Sequence, residues 1–288
     1  MDSKIKLSII IVSWNILEDL KKCLVSLFKY IETDFEVIVI DNNSNDQTID
    51  YLKAKYPLVK IIANKTNEGF AKANNQGIKI AQGEYLLFLN PDTYLLDEQS
   101  IPNALNYLAE HKTTLLTGNV LNIDQTNQVA VRKFPTLYSQ VITLLKLNNL
   151  IPGLNKVYYS RNFDYNKLQQ VDSVIGAFML TSAQTIAQLN GFSEDFFVWF
   201  EEVDLCKRLH EINGQVVYLP SAKVVHTGGQ SFKQVMTLER QTFFNQSLIT
   251  FFKKHKPRWQ TMILIALLPF NLSLTMLQQI FKIKKSDY

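Results

Sequence analysis

From Leu7 onward the chain alternates uniformly apolar runs with segments of helical periodicity, and that alternation restricts the fold more than any other feature. The runs are LSIIIV at 7–12, EVIVID at 36–41, VKIIA at 59–63 and YLLFL at 85–89. Each has the length of a strand and leaves no polar face for water, as expected of strands covered on both sides. Between the first two, Leu20, Cys23, Leu24, Leu27 and Phe28 recur at the offsets of one helical face. A second helix is predicted to open at Asp46 and run to Tyr56, before Pro57, and a third follows Gly69 with Phe70, Ala73, Gly77 and Ala81 facing one way. Strands joined by such crossovers make an α/β fold, a mainly parallel sheet flanked by helices.

A sheet of this kind binds its ligand beyond the carboxyl ends of its strands. The out-of-place polar residues gather there: Ser13-Trp14-Asn15, Asp41-Asn42-Asn43, Asn64 with Asn67, and Asn90-Pro91-Asp92. Asp92 poses the sharpest question, because a carboxylate at the end of a buried strand must be solvated, paired or bound to a cation. The four polar tips can converge on one ligand, with a nucleotide the natural candidate. GxGxxG is absent after Val12, which argues against a dinucleotide oxidoreductase. Asp41 either accepts hydrogen bonds from a base or ribose or caps the turn that follows it.

Past residue 100 the pattern loosens. A helix is predicted near 100–111, a strand at 114–121 (TLLTGNVL), a polar stretch to 130, an apolar helix at 137–150 and a strand at 171–182 (VDSVIGAFMLTS). In FSEDFFVWFEEVDLCKRLHEING, residues 192–214, helical spacing starts at Glu201, with Leu205, Leu209 and Ile212 on one face and Gly214 as the stop. Glu201, Glu202 and Asp204 thus fall in the first turn, where the helix macrodipole alone favours acids. The aromatic wall of Phe196, Phe197, Trp199 and Phe200 supports a second reading, since apolar surroundings raise a carboxyl pKa towards the range of a general base. His226 ends the run KVVH at Gly228-Gly229. It is either a structural imidazole or a ligand that joins Asp92 on a hard divalent ion.

With 47% apolar and 19% charged residues the chain has the composition of a folded core, and its charge of +4 is spread among 26 acids, so nucleic acid is not an expected partner. Cys23 and Cys206 form no CxxC or metal-finger spacing and read as small buried hydrophobes, in keeping with a reducing, cytoplasmic location. The N-terminal apolar run is too short for a signal peptide. Residues 1–230 read as one catalytic unit and 231–288 as a tail. Within the tail, residues 259–281 carry no charge and lie between KKHKPRW and KIKK. Pro269 interrupts them, and Asn271, Thr275, Gln278 and Gln279 share one helical face. That pattern predicts a helix lying in the membrane surface, drawn to anionic lipid by its basic flanks; a spanning helix and a helix packed on protein are the alternatives.

Seven segments in order, IIIVSWN, VIVIDNNSNDQT, NEGFAKANNQGI, GEYLLFLNPD, GAFML, FFVWFEEVDLCKRL and VVHTGGQS, together resemble glycosyltransferase family 2, of the GT-A fold, and within it the bacterial rhamnosyltransferase-like branch that builds cell-surface polysaccharide. The resemblance implies a nucleotide-sugar-binding half at 1–98 and an acceptor-side half at 99–230. It implies that Asp41 holds the base, that Ser13, Trp14 and Asn15 line the same pocket, and that Asn67, Gly69, Phe70 and Asn74 close over it. Asn90-Pro91-Asp92 resembles the family's DxD motif, whose last acid binds Mg²⁺ or Mn²⁺ at the diphosphate; here Asn90 replaces the first acid, leaving Asp92 aided by His226. Glu202 matches the catalytic base of an inverting transfer, with Glu201 and Asp204 orienting the acceptor or buttressing it. The implied donor is dTDP-rhamnose, or else a UDP-sugar, and the acceptor a glycan or lipid-linked sugar, at the cytoplasmic face of the membrane. Self-association is left open. A metal-dependent nucleotidyltransferase and a degenerate, non-catalytic transferase subunit are the rival readings.

Overall fold

The computed structural model describes residues 5–151, 153–160, 162–228 and 237–280; Gly229 to Ser231 of the HTGGQS segment and the closing KIKK lie outside them. The first ninety residues fold as the alternation predicts. Strands β1 (Leu7–Ser13), β2 (Phe35–Asp41), β3 (Lys60–Ala63) and β4 (Tyr85–Leu89) are parallel neighbours in the order β3-β2-β1-β4, separated in sequence by α1 (Leu17–Tyr30), α2 (Thr48–Lys55) and α3 (Phe70–Ile80). Ile9 and Ile11 enter one hydrophobic core and Ile10 the other, which is why the strand shows no polar alternation. The second helix begins two residues late, because Asp46 stays outside it and accepts a hydrogen bond from the Thr48 amide at 3.1 Å.

The remaining elements are β5 (Thr93–Leu95), α4 (Ser100–Glu110), β6 (Thr114–Leu121), β7 (Val131–Arg132), α5 (Leu137–Leu144), β8 (Gln169–Gln170), β9 (Ser173–Val174), β10 (Phe178–Ser182), α6 (Ala183–Gln188), α7 (Glu201–Glu211), β11 (Gln215–His226), α8 (Thr237–His255) and α9 (Arg258–Ile280). They extend the sheet as β4-β10-β6-β11-β5, with β10 antiparallel to both of its neighbours and β5 antiparallel to β11. The sheet is therefore mixed, and the carboxyl ends of β1, β2, β4, β6 and β11 all reach one edge. The expected strand at 171–182 is two strands: β9 pairs with β7 in a separate ribbon, and the chain changes partner across Ile175–Ala177 to enter the main sheet as β10. The helix expected at 137–150 ends at Leu144, since Lys146 turns left-handed at φ 54° before a short 3₁₀ turn. The two runs VVYLP and KVVH form one strand, β11, with an irregularity between Leu219 and Lys223 that accommodates Pro220.

Helices α8 and α9 pack on each other and share a third core with Leu144, Phe196, Phe200 and Val203, to which they contribute Leu248, Phe251, Phe252 and Leu264. The polar row of α9 divides: Gln279 is exposed and Gln278 half-buried, while the other two face the protein. Asn271 and Thr275 are buried: Asn271 accepts from the Asn245 amide at 2.9 Å and donates to the Leu144 carbonyl at 2.7 Å, and the Thr275 hydroxyl donates to the Asn271 carbonyl at 2.8 Å. Truncating Asn271 strands a buried amide and a buried carbonyl. Asn271→Ala is expected to lower unfolding free energy by about 2 kcal/mol, read from denaturant midpoints with an unchanged slope.

Candidate active site

At the carboxyl edge of the sheet lies a cavity of about 870 Å³. Of the residues singled out from sequence, Trp14, Asn67, Gly69, Phe70, Asp92, Glu201, Glu202 and His226 form its wall. Ser13, Asn15, Asp41, Asn74 and Asp204 do not reach that wall. Ser13 and Asp41 are register partners at the ends of β1 and β2, both buried. Asp41 accepts from the Ser44 amide at 2.9 Å through one oxygen, while its other oxygen and the Ser13 hydroxyl are buried without a partner among the described residues. Asn15 accepts from the Asn45 amide at 2.6 Å, so its side chain ties the first strand-end loop to the second. Asn74 is turned inward and donates to the Phe70 carbonyl at 2.9 Å.

The glycine-containing loop is held from below. Asn64 donates to Asn42 at 2.8 Å, Asn42 donates to the Gly69 carbonyl at 3.2 Å, and the Asn67 side chain accepts from the Gly69 amide at 3.0 Å. Gly69 itself is left-handed at φ 80°, and a Cβ there would run into the carbonyl of Phe197, which accepts the Phe70 amide at 2.8 Å. This contact joins the glycine-containing loop to the aromatic segment that leads into α7.

Asp92 finds its partner on another strand. His226 pairs with Thr93 in the β11–β5 register, which sets its ring against the Asn90-Pro91-Asp92 turn. Its Nε2 lies 3.2 Å from Asp92 Oδ1 and 3.3 Å from Asn90 Nδ2. The other ring nitrogen is fixed by Gln128, whose Nε2 donates to the His226 carbonyl at 2.6 Å and so turns its Oε1 to His226 Nδ1 at 3.0 Å. Because that oxygen only accepts, Nδ1 carries a proton; Nε2, when unprotonated, accepts from Asn90 Nδ2 and offers its lone pair to a cation, and it pairs with the Asp92 carboxylate only as the second N–H of an imidazolium. One carboxylate and one imidazole suit a divalent ion that takes its remaining ligands from phosphate and water. Among the described residues no three His, Cys, Asp or Glu side chains gather into a fuller site.

The opposite chemistry sits at the start of α7. Trp199 and Phe200 are both left-handed, at φ 63° and 67°, a strained pair of aromatic residues that turns the chain sharply into the helix. Glu201 and Glu202 follow at once, each buried with one carboxylate oxygen lacking a partner. Burial pushes both carboxyls up; Glu201 rises well above the usual range because the charge of Glu202 adds to it, whereas Arg132 and the first-turn amides restrain Glu202. Asp204 has a different task. Although burial alone would raise it, His255 at 2.8 Å and Arg208 at 2.7 Å hold it below the ordinary carboxylate range, and it ties α7 to α8.

Three groups of wall residues escaped the sequence reading. Gln128 lies in a polar stretch with no periodicity, and its role exists only through β11. Arg132 ends the apolar VAV run and lies over the Tyr159 ring at 5.6 Å; a cation closing an apolar run was the available signal. Glu239 and Phe243 of α8 also line the cavity, so the segment read as a tail contributes to the site. One stability test isolates the buried pair. With its folded pKa raised, Glu201 favours the folded chain below its unfolded value of about 4.3, and that contribution is lost as pH rises towards the folded value. Glu201→Gln is expected to melt above the wild type near neutral pH, with the gap closing towards about pH 4, as read by calorimetry across pH.

The sequence profile described as Glycosyl transferase family 2 matches residues 8–175, more than half of the chain. The rhamnosyltransferase WbbL of Escherichia coli (strain K12) is 26% identical over 228 residues, 76% of this chain and 82% of its own. Among solved structures, the mannosyltransferase PcManGT of Pyrobaculum calidifontis, in complex with GDP-Man and Mn²⁺, superposes with a TM-score of 0.58 at 14% identity, over 94% of this chain and 73% of that one. GalNAc-T7 with UDP, GalNAc and Mn²⁺ gives 0.59 at 16% identity, over 78% of this chain and 44% of that longer one. These structural likenesses bear out the GT-A α/β fold expected from the sequence. By the extent of the profile match, the chain belongs to glycosyl transferase family 2.

Proposed function

We propose that the protein is a metal-dependent, inverting sugar transferase that moves rhamnose from a nucleotide-sugar, dTDP-rhamnose in preference to a UDP-sugar, to a glycan or lipid-linked acceptor in surface polysaccharide synthesis. The observation that carries this reading is the meeting of Asp92–His226 and the buried Glu201–Glu202 pair in the wall of one cavity. The likeness to WbbL supports the choice of sugar. The Mn²⁺ in the PcManGT and GalNAc-T7 complexes supports metal use.

In this reading Asp41 offers its unpartnered oxygen from beneath the loops at the strand ends, towards the base of the donor. Asp92 and His226 Nε2 would hold a divalent ion, which would supply positive charge to offset that of the departing diphosphate. Glu202, whose charged form the first-turn amides and Arg132 favour, takes the proton from an acceptor hydroxyl. The acceptor oxygen bonds to the anomeric carbon from the face opposite the diphosphate, and the bond to the diphosphate breaks, inverting the centre. Charge grows on the leaving group only as the bond breaks, so holding it there accelerates transfer rather than merely tightening binding. Glu201 and the aromatic turn keep water from the base, and Asp204 fixes the helix that carries it.

The decisive measurement pairs two variants. Glu202→Gln is expected to bind nucleoside diphosphate with Mn²⁺ as the wild type does while losing about 10²-fold or more in turnover. Asp92→Ala is expected to abolish the Mn²⁺-dependent part of that binding. Unchanged calorimetric affinity in Asp92→Ala defeats the metal assignment, and full turnover in Glu202→Gln defeats the base. Product formed from a nucleoside triphosphate, with none from any nucleotide-sugar, points to a nucleotidyltransferase instead. Gln128→Ala should weaken Mn²⁺-dependent binding by about tenfold, the scale of losing a group that orients a ligand, and Gln128→Glu, which keeps an acceptor at Nδ1, should recover part of it.

A further inference from the structure

We propose that the outward face of α9 is a docking surface for a bilayer containing anionic phospholipid. The inference is independent of the chemistry assigned to the cavity.

Helix α9 is arranged inside out. Its inward stripe carries Thr261, Asn271 and Thr275 beside Leu264, buried against α5 and α8. The opposite face presents Trp259, Met262, Ile263, Phe270, Met276 and Ile280, with Met262 69%, Phe270 64% and Ile280 69% exposed. No charged residue occurs between Arg258 and Lys282. An uncharged apolar face running the length of a 23-residue helix is larger than a soluble surface ordinarily leaves to water.

Charge selects the occupant. No acid occurs between Glu239 and Asp287, while Lys253 and Arg258 stand exposed before the apolar face and Lys282, Lys284 and Lys285 follow it in sequence. A second copy has the same flanking sequence, basic on both sides and free of acids, so it offers no charge to complement it. Anionic headgroups complement that basic flanking sequence, and acyl chains accept the exposed apolar side chains. The inward hydrogen bonds also fix the mode of binding. A spanning helix must leave the Asn245 amide and the Leu144 carbonyl, whereas a helix lying on the membrane keeps both contacts.

Flotation of the full chain with vesicles of phosphatidylcholine, with and without phosphatidylglycerol, tests the proposal. The wild type is expected to float with the anionic vesicles and mostly to remain behind with the neutral ones. Ile263→Glu/Phe270→Glu is expected to lower the anionic partition by about tenfold or more, at an unchanged melting temperature because both positions are exposed. Lys253→Glu/Arg258→Glu leaves the apolar face intact and is expected to reduce binding and its salt sensitivity, so the test does not hang on one variant. Absence of the wild type from anionic vesicles overturns the proposal. So does a lipid-free dimer, seen by light scattering, that the double glutamate variant dissociates, since a second copy then covers the face. Binding that resists carbonate and yields only to detergent overturns it in favour of a spanning helix.

Discussion

A buried carboxylate must be given something to compensate for lost water, and the carboxyl edge of this sheet is organised by how five of them are treated. Asp92 is given an imidazole and Asp204 an arginine and a histidine. Asp41 receives one backbone amide and keeps one oxygen free of protein partners. Glu201 and Glu202 receive only the first-turn amides and a distant arginine, so their protons are held more tightly. The fully compensated acid ties helices together, and the under-compensated ones line the cavity or lie just beneath it. Function in this family 2 glycosyltransferase is read from incomplete compensation.

Topology makes that arrangement attainable. Because β10 runs against both of its neighbours, β4 and β6 point the same way although they are not adjacent, and β11, parallel to β6, ends beside β4's carboxyl end. The short β5 then brings Thr93 opposite His226. Two residues more than 130 positions apart in sequence are thereby placed within hydrogen-bonding range. The left-handed turn at Trp199 and Phe200 supplies the second half of the site, held to the first half through Gly69 and Phe197.

The first ninety residues of the sheet were legible because their strands are buried on both faces and their helices carry one apolar stripe each, so hydropathy alone encodes them. The start of α7 at Glu201 was legible for the same reason, through Leu205 and Leu209. What hydropathy does not encode is a change of partner, and the run 171–182 was therefore read as one strand where it serves two sheets. Gln128 was invisible because its value lies in a tautomer it imposes on a distant ring. Asp204 and Glu202 look alike in sequence, two acids on one turn, and only the cations around them separate their roles. The polar row of α9 left its surroundings open between lipid surface and protein, because the sequence does not show that Asn271 and Asn245 satisfy each other inside the fold.

That amide pair has a consequence for how α9 is seated. The helix is apolar around most of its circumference, so hydrophobicity would accept many rotations about its axis with little preference. Asn271 breaks the degeneracy, since only one azimuth delivers its carbonyl oxygen to Asn245 and its amide to Leu144. A turn of one residue, about 100°, would strand both and carry Phe270 towards the core. The two asparagines thus act as a keyway that indexes an otherwise featureless shaft, a use of buried polarity for uniqueness rather than strength.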